Sequence, residues 1–188
     1  MMHVMPRNTV SILRVLLLIA LICDLLILPL VPALVVLDGI APLEALATSG
    51  MPDRTVWMLA IFIAAWQYVW TADGYTVILT LFLLFFGVCA AVMLWQGRRV
   101  LRTILRSEPF SPENAVSLNR AAVCSFLISG AALARTVSTV LLKDAAAALL
   151  SYTALFIPLF AMAGLLFLLM SGLFGQATAM KEESDLTI

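Results

Sequence analysis

Apolar residues form long uninterrupted runs along most of this chain, instead of alternating with polar residues. Four of these runs predict membrane-crossing helices, over about residues 13–37, 75–96, 118–142 and 147–175. At a rise of about 1.5 Å per residue, about 20 apolar residues are enough to cross the hydrocarbon core of a bilayer. The pattern therefore predicts an all-α protein in which residues 1–188 form one transmembrane four-helix bundle.

A fifth apolar segment, about residues 55–71, is shorter and allows two interpretations. Its apolar run of about 16 residues falls just under the usual spanning length. Trp57 and Trp70 place aromatic side chains at its two ends, as in segments that lie at a membrane surface. We expect an interfacial or re-entrant segment on the outer face of the membrane, and a fifth span is the alternative.

The positions of the basic residues predict the orientation of the chain. Four arginines fall within residues 97–106, and Arg7 and Arg14 lie before and at the start of the first run. Loops rich in Lys and Arg stay on the cytoplasmic side of a membrane. We therefore expect a multi-pass protein of the cell (inner) membrane with both termini in the cytoplasm. If residues 55–71 crossed the membrane, the arginine-rich loop would face outside, against this rule.

The overall composition narrows the class of protein further. Hydrophobic residues make up 63% of the chain, which is more than a soluble domain of 188 residues can bury. The 11 basic and 11 acidic residues balance, which argues against a general nucleic-acid-binding surface. Cys23, Cys89 and Cys124 all fall inside apolar runs, so we expect three buried and unreactive thiols.

The loop between the second and third runs, about residues 97–117, has a helical pattern of its own. Arg98, Arg102 and Arg106 recur every four residues, so the second span is expected to continue as a basic amphipathic helix. Such a helix attracts anionic lipid headgroups, at about 1 kcal/mol per basic residue. Docking of a soluble cytoplasmic partner is the alternative. The residues assigned to this lipid or partner surface are Arg98, Arg99, Arg102, Arg106, Pro109, Phe110, Glu113 and Asn114.

A tight corner and a new helix are expected after the basic helix. Pro109 disfavours helical backbone at the residue before it. Ser111 is the predicted N-cap of the next helix, and Pro112 takes the first helical position, where its missing N–H costs nothing. Glu113 suits the positive end of that helix. We therefore expect a rigid cytoplasmic hairpin, with Phe110 packed against both of its helices.

Two ionisable residues, Asp24 and Arg135, fall inside the predicted spans. A charge near the bilayer centre costs at least about 2.5–3.5 kcal/mol, so each needs a partner or water. Counted from the starts of their runs, Asp24 lies about 14 Å deep and Arg135 about 21 Å deep, which allows them to pair. Arg135 can equally extend outward to the interface. A buried site for a ligand or a proton is the functional alternative.

The sequence carries no pattern that indicates an enzyme. It has no glycine-rich phosphate loop, no HExxH metal motif and no GxSxG nucleophile. The single histidine, His3, lies in the N-terminal tail. We therefore expect no catalytic activity, no cofactor and no bound metal.

The hairpin corner and the chain end together resemble a known family. The sequence Pro-Phe-Ser-Pro-Glu-Asn at residues 109–114 is similar to the signature of the bacterial family called domain of unknown function 2975. The chain ends in the residues Glu183, Asp185, Leu186, Thr187 and Ile188, which are similar to the acidic tail of that family. The resemblance covers about residues 76–188, with mild departures at Ser107 and Ser184. It implies a four-span bacterial inner-membrane protein with a regulatory role, because members are often encoded beside a small helix-turn-helix regulator.

These features predict a non-enzymatic, membrane-embedded regulator or sensor. Its hairpin, or its acidic cytoplasmic tail at residues 176–188, is expected to hold a cytoplasmic partner of the helix-turn-helix type. Small residues four apart also permit a homo-oligomer. Direct binding of nucleic acid is not expected. The alternative function is a small permease or transport-complex subunit that uses Asp24 and Arg135.

The tail carries a structural prediction as well. We expect the fourth helix to continue to about Lys181, after which the chain folds back toward the basic helix. Leu186 and Ile188 would then lie near Leu101 or Leu105, because an apolar end that follows an acidic run has little reason to stay in water.

Overall fold

The computed structural model describes residues 7–37, 54–105, 111–143 and 152–186, in which all regular elements are helices. The all-α prediction is thereby confirmed for these residues. The helices are α1 (Arg7–Ile27), a 3₁₀ turn (Leu28–Leu30), α2 (Val31–Leu37), α3 (Arg54–Thr71), α4 (Gly74–Leu105), α5 (Pro112–Lys143) and α6 (Tyr152–Leu186).

Four stretches of this structure are long and apolar enough to cross a membrane, so the chain is a multi-pass membrane protein. They are Ile12–Val35, Gly74–Leu105, Pro112–Leu141 and Tyr152–Lys181. Each of them contains most of one predicted run. The exact membrane boundaries, and the placement of α3 outside the hydrocarbon core, stay predictions.

Prolines interrupt the first span near its C-terminal end, and α3 packs at this interruption. Pro29 and Pro32 cannot donate backbone hydrogen bonds, and the chain forms a 3₁₀ turn here before it continues as α2. The Trp66 indole N–H of α3 donates to the Pro29 carbonyl oxygen at 3.2 Å. Beside this bond, α2 and α3 share a small buried cluster of Ala33, Ala65 and Val69.

The first span and α4 run antiparallel to each other. At the middle of α1, Leu17 Cδ1 lies 4.0 Å from the position that a Cβ at Gly97 would occupy. Near the end of the span, Leu28 lies beside Gly87, ten residues earlier in α4. The N-terminal half of α1 is therefore at the same end of the bundle as the C-terminal part of α4.

On the other side of α4, α5 packs against both α4 and α6. The Ser129 hydroxyl of α5 donates to the Ile157 carbonyl of α6 at 2.8 Å. The Ser171 hydroxyl of α6 donates to the Ala115 carbonyl of α5 at 2.7 Å. Small hydroxyl side chains let membrane helices approach closely and hydrogen-bond across the interface. One bond joins the middle of α5 to the start of α6, and the other joins the start of α5 to the middle of α6, so the pair is antiparallel and tied at two levels.

Two glycines mark the closest approaches between helices. A Cβ at Gly164 of α6 would lie 3.0 Å from the Phe126 ring of α5. A Cβ at Gly87 of α4 would lie 3.2 Å from Leu28 Cδ1. Both distances are shorter than ordinary van der Waals contact, so each helix pair depends on a residue without a side chain at that point.

The last helix is longer than the sequence predicted. It runs to Leu186, beyond the predicted end at about Lys181, because residues 176–186 contain no glycine or proline to stop it. Thr178 is buried, whereas the described side chains that follow it (Ala179, Met180, Lys181 and Glu183) are exposed. The predicted return of the tail involves Asp185, Leu186, Thr187 and Ile188, whose side chains lie outside the described residues.

Candidate functional site

The C-terminal part of α4 has two faces of different chemistry. At the spacing i, i+3, i+4 and i+7, one face carries Trp95, Arg98, Arg99 and Arg102. With the same spacing, the opposite face carries Gly97, Val100, Leu101 and Ile104. The predicted basic amphipathic extension of the second span is therefore present, as an unbroken part of α4.

The basic face of α4 and the start of α5 enclose a cleft of about 350 Å³, here called the basic cleft. It is lined by Trp95, Arg98, Arg99, Arg102, Thr103 and Glu113. Trp95 is 59% exposed at the end of the apolar run of α4. Tryptophan is favoured where hydrocarbon meets water, so we expect the membrane surface to lie at the level of this residue.

Two contacts, here called the clamp, hold α4 to the start of α5 at the cleft. Arg99 Nη2 lies 3.1 Å from Glu113 Oε2, and the two side chains are 43% and 60% exposed. Exposed pairs of this kind contribute only about 0–1 kcal/mol. The Thr103 hydroxyl donates to Asn114 Oδ1 at 2.7 Å, and Asn114 is fully buried. Because an unpartnered buried polar group is costly, the Thr103–Asn114 bond is the stronger constraint on the hairpin.

Two arginines of the basic cleft are not neutralised by any acidic side chain in the described part of the chain. Among the residues that the structure describes, Arg98 and Arg102 form no ion pair, and Arg98 Nε is buried without a hydrogen-bond partner. Residues four apart on a helix lie about 5–6 Å from each other between Cβ atoms. Two guanidinium groups at this spacing suit neighbouring carboxylates or a phosphate.

The second helix of the hairpin begins where the sequence predicted, but it is capped differently. It starts at Pro112, directly after Ser111. The Asn114 N–H, which a capping side chain would bind, donates instead to the Ser111 carbonyl oxygen at 3.0 Å. Within the described part of the chain the Ser111 hydroxyl has no partner, so the predicted side-chain cap is wrong. The predicted surface residues Arg106, Pro109 and Phe110 lie outside the described residues.

The two intramembrane charges lie at different helix interfaces. Arg135 of α5 donates to Thr153 Oγ1 of α6, and its guanidinium carbon is 5.1 Å from the centroid of the Phe82 ring of α4. Asp24 of α1 faces Gly87 of α4, where an added Cβ would lie 3.9 Å from Asp24 Oδ1. Asp24 Oδ2 is buried and finds no hydrogen-bond partner among the described residues, and the two charges do not pair with each other.

Arg135 is therefore held by a hydroxyl and by a cation–π contact, while its Nε is buried and has no hydrogen-bond partner among the described residues. Neither charge lines the basic cleft, the groove beside Trp66 or the cavity beside Gln96. A transport path would need a polar cavity that reaches both residues. None of these three cavities reaches both residues, and the permease alternative stays a prediction.

Comparison with known proteins places the chain in a family. The family model described as "Protein of unknown function (DUF2975)" matches residues 67–188, which is more than half of the chain. The chain belongs to the DUF2975 family. The suspected resemblance is thereby confirmed, and the DUF2975 match contains the whole basic cleft and the clamp. No curated protein and no solved structure matches the chain.

Three polar residues of this DUF2975 protein, the half-buried Thr103 and the buried Gln96 and Ser117, escaped the sequence reasoning. Thr103 belongs to the clamp, and Gln96 and Ser117 are only 7% and 1% exposed. Gln96 follows the second apolar run, and Ser117 comes just before the third. Their positions at the two run ends that the hairpin connects are the sequence signal from which they could have been predicted. Their burial depends on which face each helix turns inward, and a run that is apolar on every side does not reveal this.

The cysteines of the DUF2975 protein also differ from the expectation of three buried thiols. Cys89 of α4 is buried and interacts with the half-buried Cys124 of α5 across the helix interface. Cys23 is exposed on α1, which corrects the prediction. The reason is that α1 contacts the bundle along a narrow stripe, and Leu21 is its one fully buried apolar side chain within residues 12–27.

Proposed function

We propose that this DUF2975 protein is a membrane-embedded regulator whose basic cleft holds an acidic segment of a cytoplasmic partner. The observation that supports this most is the pair of arginines, Arg98 and Arg102, which have no acidic partner among the side chains that the structure describes. The clamp keeps their cleft open and in a defined shape. Charges placed in advance on a rigid hairpin bind a partner with little loss of conformational entropy.

The cytoplasmic placement of the cleft rests on charge and on helix direction. Arg7 precedes the first span and Arg14 lies in its first turn, and the start of α1 lies at the same end of the bundle as the cleft. Both arginine-rich segments therefore share one side, as the positive-inside rule requires. This arrangement also supports an α3 that stays on the outer face, because a crossing α3 would make α1 and α4 parallel.

The acidic tail is the second surface that we assign to the partner. The last turns of α6 carry exposed side chains, including Glu183, at the end of the bundle that holds the cleft. A cytoplasmic protein of the helix-turn-helix type that bears both acidic and basic patches can engage the tail and the cleft together. Two weak contacts joined on one rigid bundle bind much more tightly than either alone.

The cleft arginines are tested by replacing both with glutamine. We expect detergent-purified protein with Arg98→Gln and Arg102→Gln to retain about one tenth or less of the amount of cytoplasmic partner that the wild type retains. The reason is the loss of two charge-assisted contacts. Retained proteins are measured by quantitative mass spectrometry after affinity capture from a cytoplasmic extract. Glutamine keeps most of the side-chain volume, so packing at the cleft is preserved.

Arg120→Gln is the matched control, because Arg120 is an exposed arginine of α5 outside the basic cleft. It should retain the same partner as the wild type. Equal retention by all three proteins would contradict the proposal. So would a double variant that loses only its binding to vesicles with phosphatidylglycerol, since the cleft would then serve lipid headgroups and no protein.

A further inference from the structure

A second cavity lies behind the face of α4 that is opposite the basic cleft. It has a volume of about 340 Å³ and its walls come from α1, α4, α5 and α6. Leu17, Leu101 and Phe167 are among the apolar side chains that line it. Small-molecule sites typically measure about 300–1,000 Å³, so the cavity is large enough for a small ligand.

Two polar side chains line this apolar cavity without partners. Gln96 of α4 and Ser117 of α5 are 7% and 1% exposed. Within the described part of the bundle, Gln96 Oε1 and Ser117 Oγ have no hydrogen-bond partner. Buried polar atoms are nearly always satisfied in folded proteins, and each one left unpaired costs free energy. Because both residues line the cavity, a molecule bound there could satisfy these two atoms.

We propose that this cavity binds a small amphipathic molecule, namely an alcohol or phenol with an apolar body. A hydroxyl group donates one hydrogen bond and accepts others. Protein atoms cover both Gln96 Oε1 and Ser117 Oγ, so the proposal includes a turn of these two side chains toward the cavity. The ligand hydroxyl then donates to Gln96 Oε1 and accepts from the Ser117 hydroxyl, while its hydrocarbon part fills the space beside Leu17, Leu101 and Phe167. A water molecule would be held by the same two groups, but the remaining apolar wall offers it nothing.

The cavity is built from the same helix ends as the basic cleft. Its wall includes Gly97 and Leu101 of α4 and Ser117 of α5, within a few residues of the clamp pair Thr103 and Asn114. An occupied cavity supports these two helix ends from the opposite side of α4. Binding of the small molecule to the cavity does not depend on any partner protein. A role for this molecule as the sensed signal rests on the proposed function.

The probes are 4-butylphenol and butylbenzene, which share a shape and differ by one hydroxyl group. Purified full-length protein in detergent is titrated with each, against protein-free micelles, and the dissociation constants are measured by calorimetry. We expect the wild type to bind 4-butylphenol about 10-fold or more tightly than butylbenzene. Gln96→Leu and Ser117→Ala should each remove most of this preference. The control Gln67→Leu replaces an exposed residue that lines another groove, so it should leave the preference for 4-butylphenol unchanged.

Three outcomes would overturn the proposal. They are equal affinity of the wild type for both probes, no binding of either probe, and a hydroxyl preference that survives both substitutions. Ser117→Ala removes a single oxygen atom and keeps the test valid if Gln96→Leu does not fold. Because no partner protein is present, failure here leaves the retention experiment on Arg98 and Arg102 unaffected, and the two proposals can fail separately.

Discussion

Replacing Gly164 with leucine is expected to destabilise the helical bundle by about 1–3 kcal/mol, the usual cost of overpacking a close contact. The cause is the Phe126 ring, which lies 3.0 Å from the position of the first added carbon. A leucine must push α6 away from α5 or force the ring out of place. The change is measured as a fall in the thermal unfolding midpoint of the purified protein in detergent.

Gly172→Leu is the matched control in the same helix, because nothing lies within 4 Å of a Cβ added there. Its effect should stay within about 0.5 kcal/mol, as for other exposed positions. Phe126→Ala should restore part of the stability lost by Gly164→Leu. Equal unfolding midpoints for the two leucine variants would mean that α5 and α6 do not pack as described.

The substitution Asn114→Ala is expected to loosen the hairpin by about 1–3 kcal/mol, the usual cost of breaking a buried hydrogen-bonded pair. Asn114 is fully buried and accepts the hydrogen bond of Thr103, so alanine leaves both a small cavity and a lost contact. Hydrogen exchange followed by mass spectrometry should show faster exchange at the end of α4 and the start of α5. Retention of the cytoplasmic partner should fall as well, because the basic cleft loses its fixed shape.

Asn119→Ala provides the comparison, since Asn119 is exposed on the same helix. It should leave both the exchange rates and the partner retention near the wild-type values. Glu113→Gln should also have a small effect on stability, because the Arg99–Glu113 pair is largely solvated. If Asn114→Ala exchanges no faster than Asn119→Ala, the clamp is not what holds the hairpin.

The sequence was enough to predict the helices and the start of the hairpin's second helix. Long apolar runs leave few alternatives to membrane helices, and α5 begins at Pro112, as the Ser-Pro-Glu pattern indicated. The basic face of α4 followed from the spacing of Arg98 and Arg102. The membership in the DUF2975 family followed from the corner and tail residues.

The sequence was not enough to predict which side chains meet between the helices. Asp24 and Arg135 were placed at neighbouring depths, yet depth along a helix says nothing about the direction that a side chain faces. They lie at different interfaces for this reason. The same ambiguity hid the burial of Gln96 and Ser117, and the exposure of Cys23. An apolar run that is hydrophobic on every side does not distinguish its lipid face from its packed face.

The direction of the chain through the membrane is tested most directly by cysteine labelling. In a background with Cys23, Cys89 and Cys124 replaced by alanine, Asn8→Cys, Val116→Cys and Tyr152→Cys are each exposed to a membrane-impermeant maleimide. With α3 on the outer face, Tyr152→Cys should react in intact cells, whereas Asn8→Cys and Val116→Cys should react only after permeabilisation. Labelling of Val116→Cys but not Asn8→Cys in intact cells would contradict this topology, and with it the cytoplasmic role of the basic cleft.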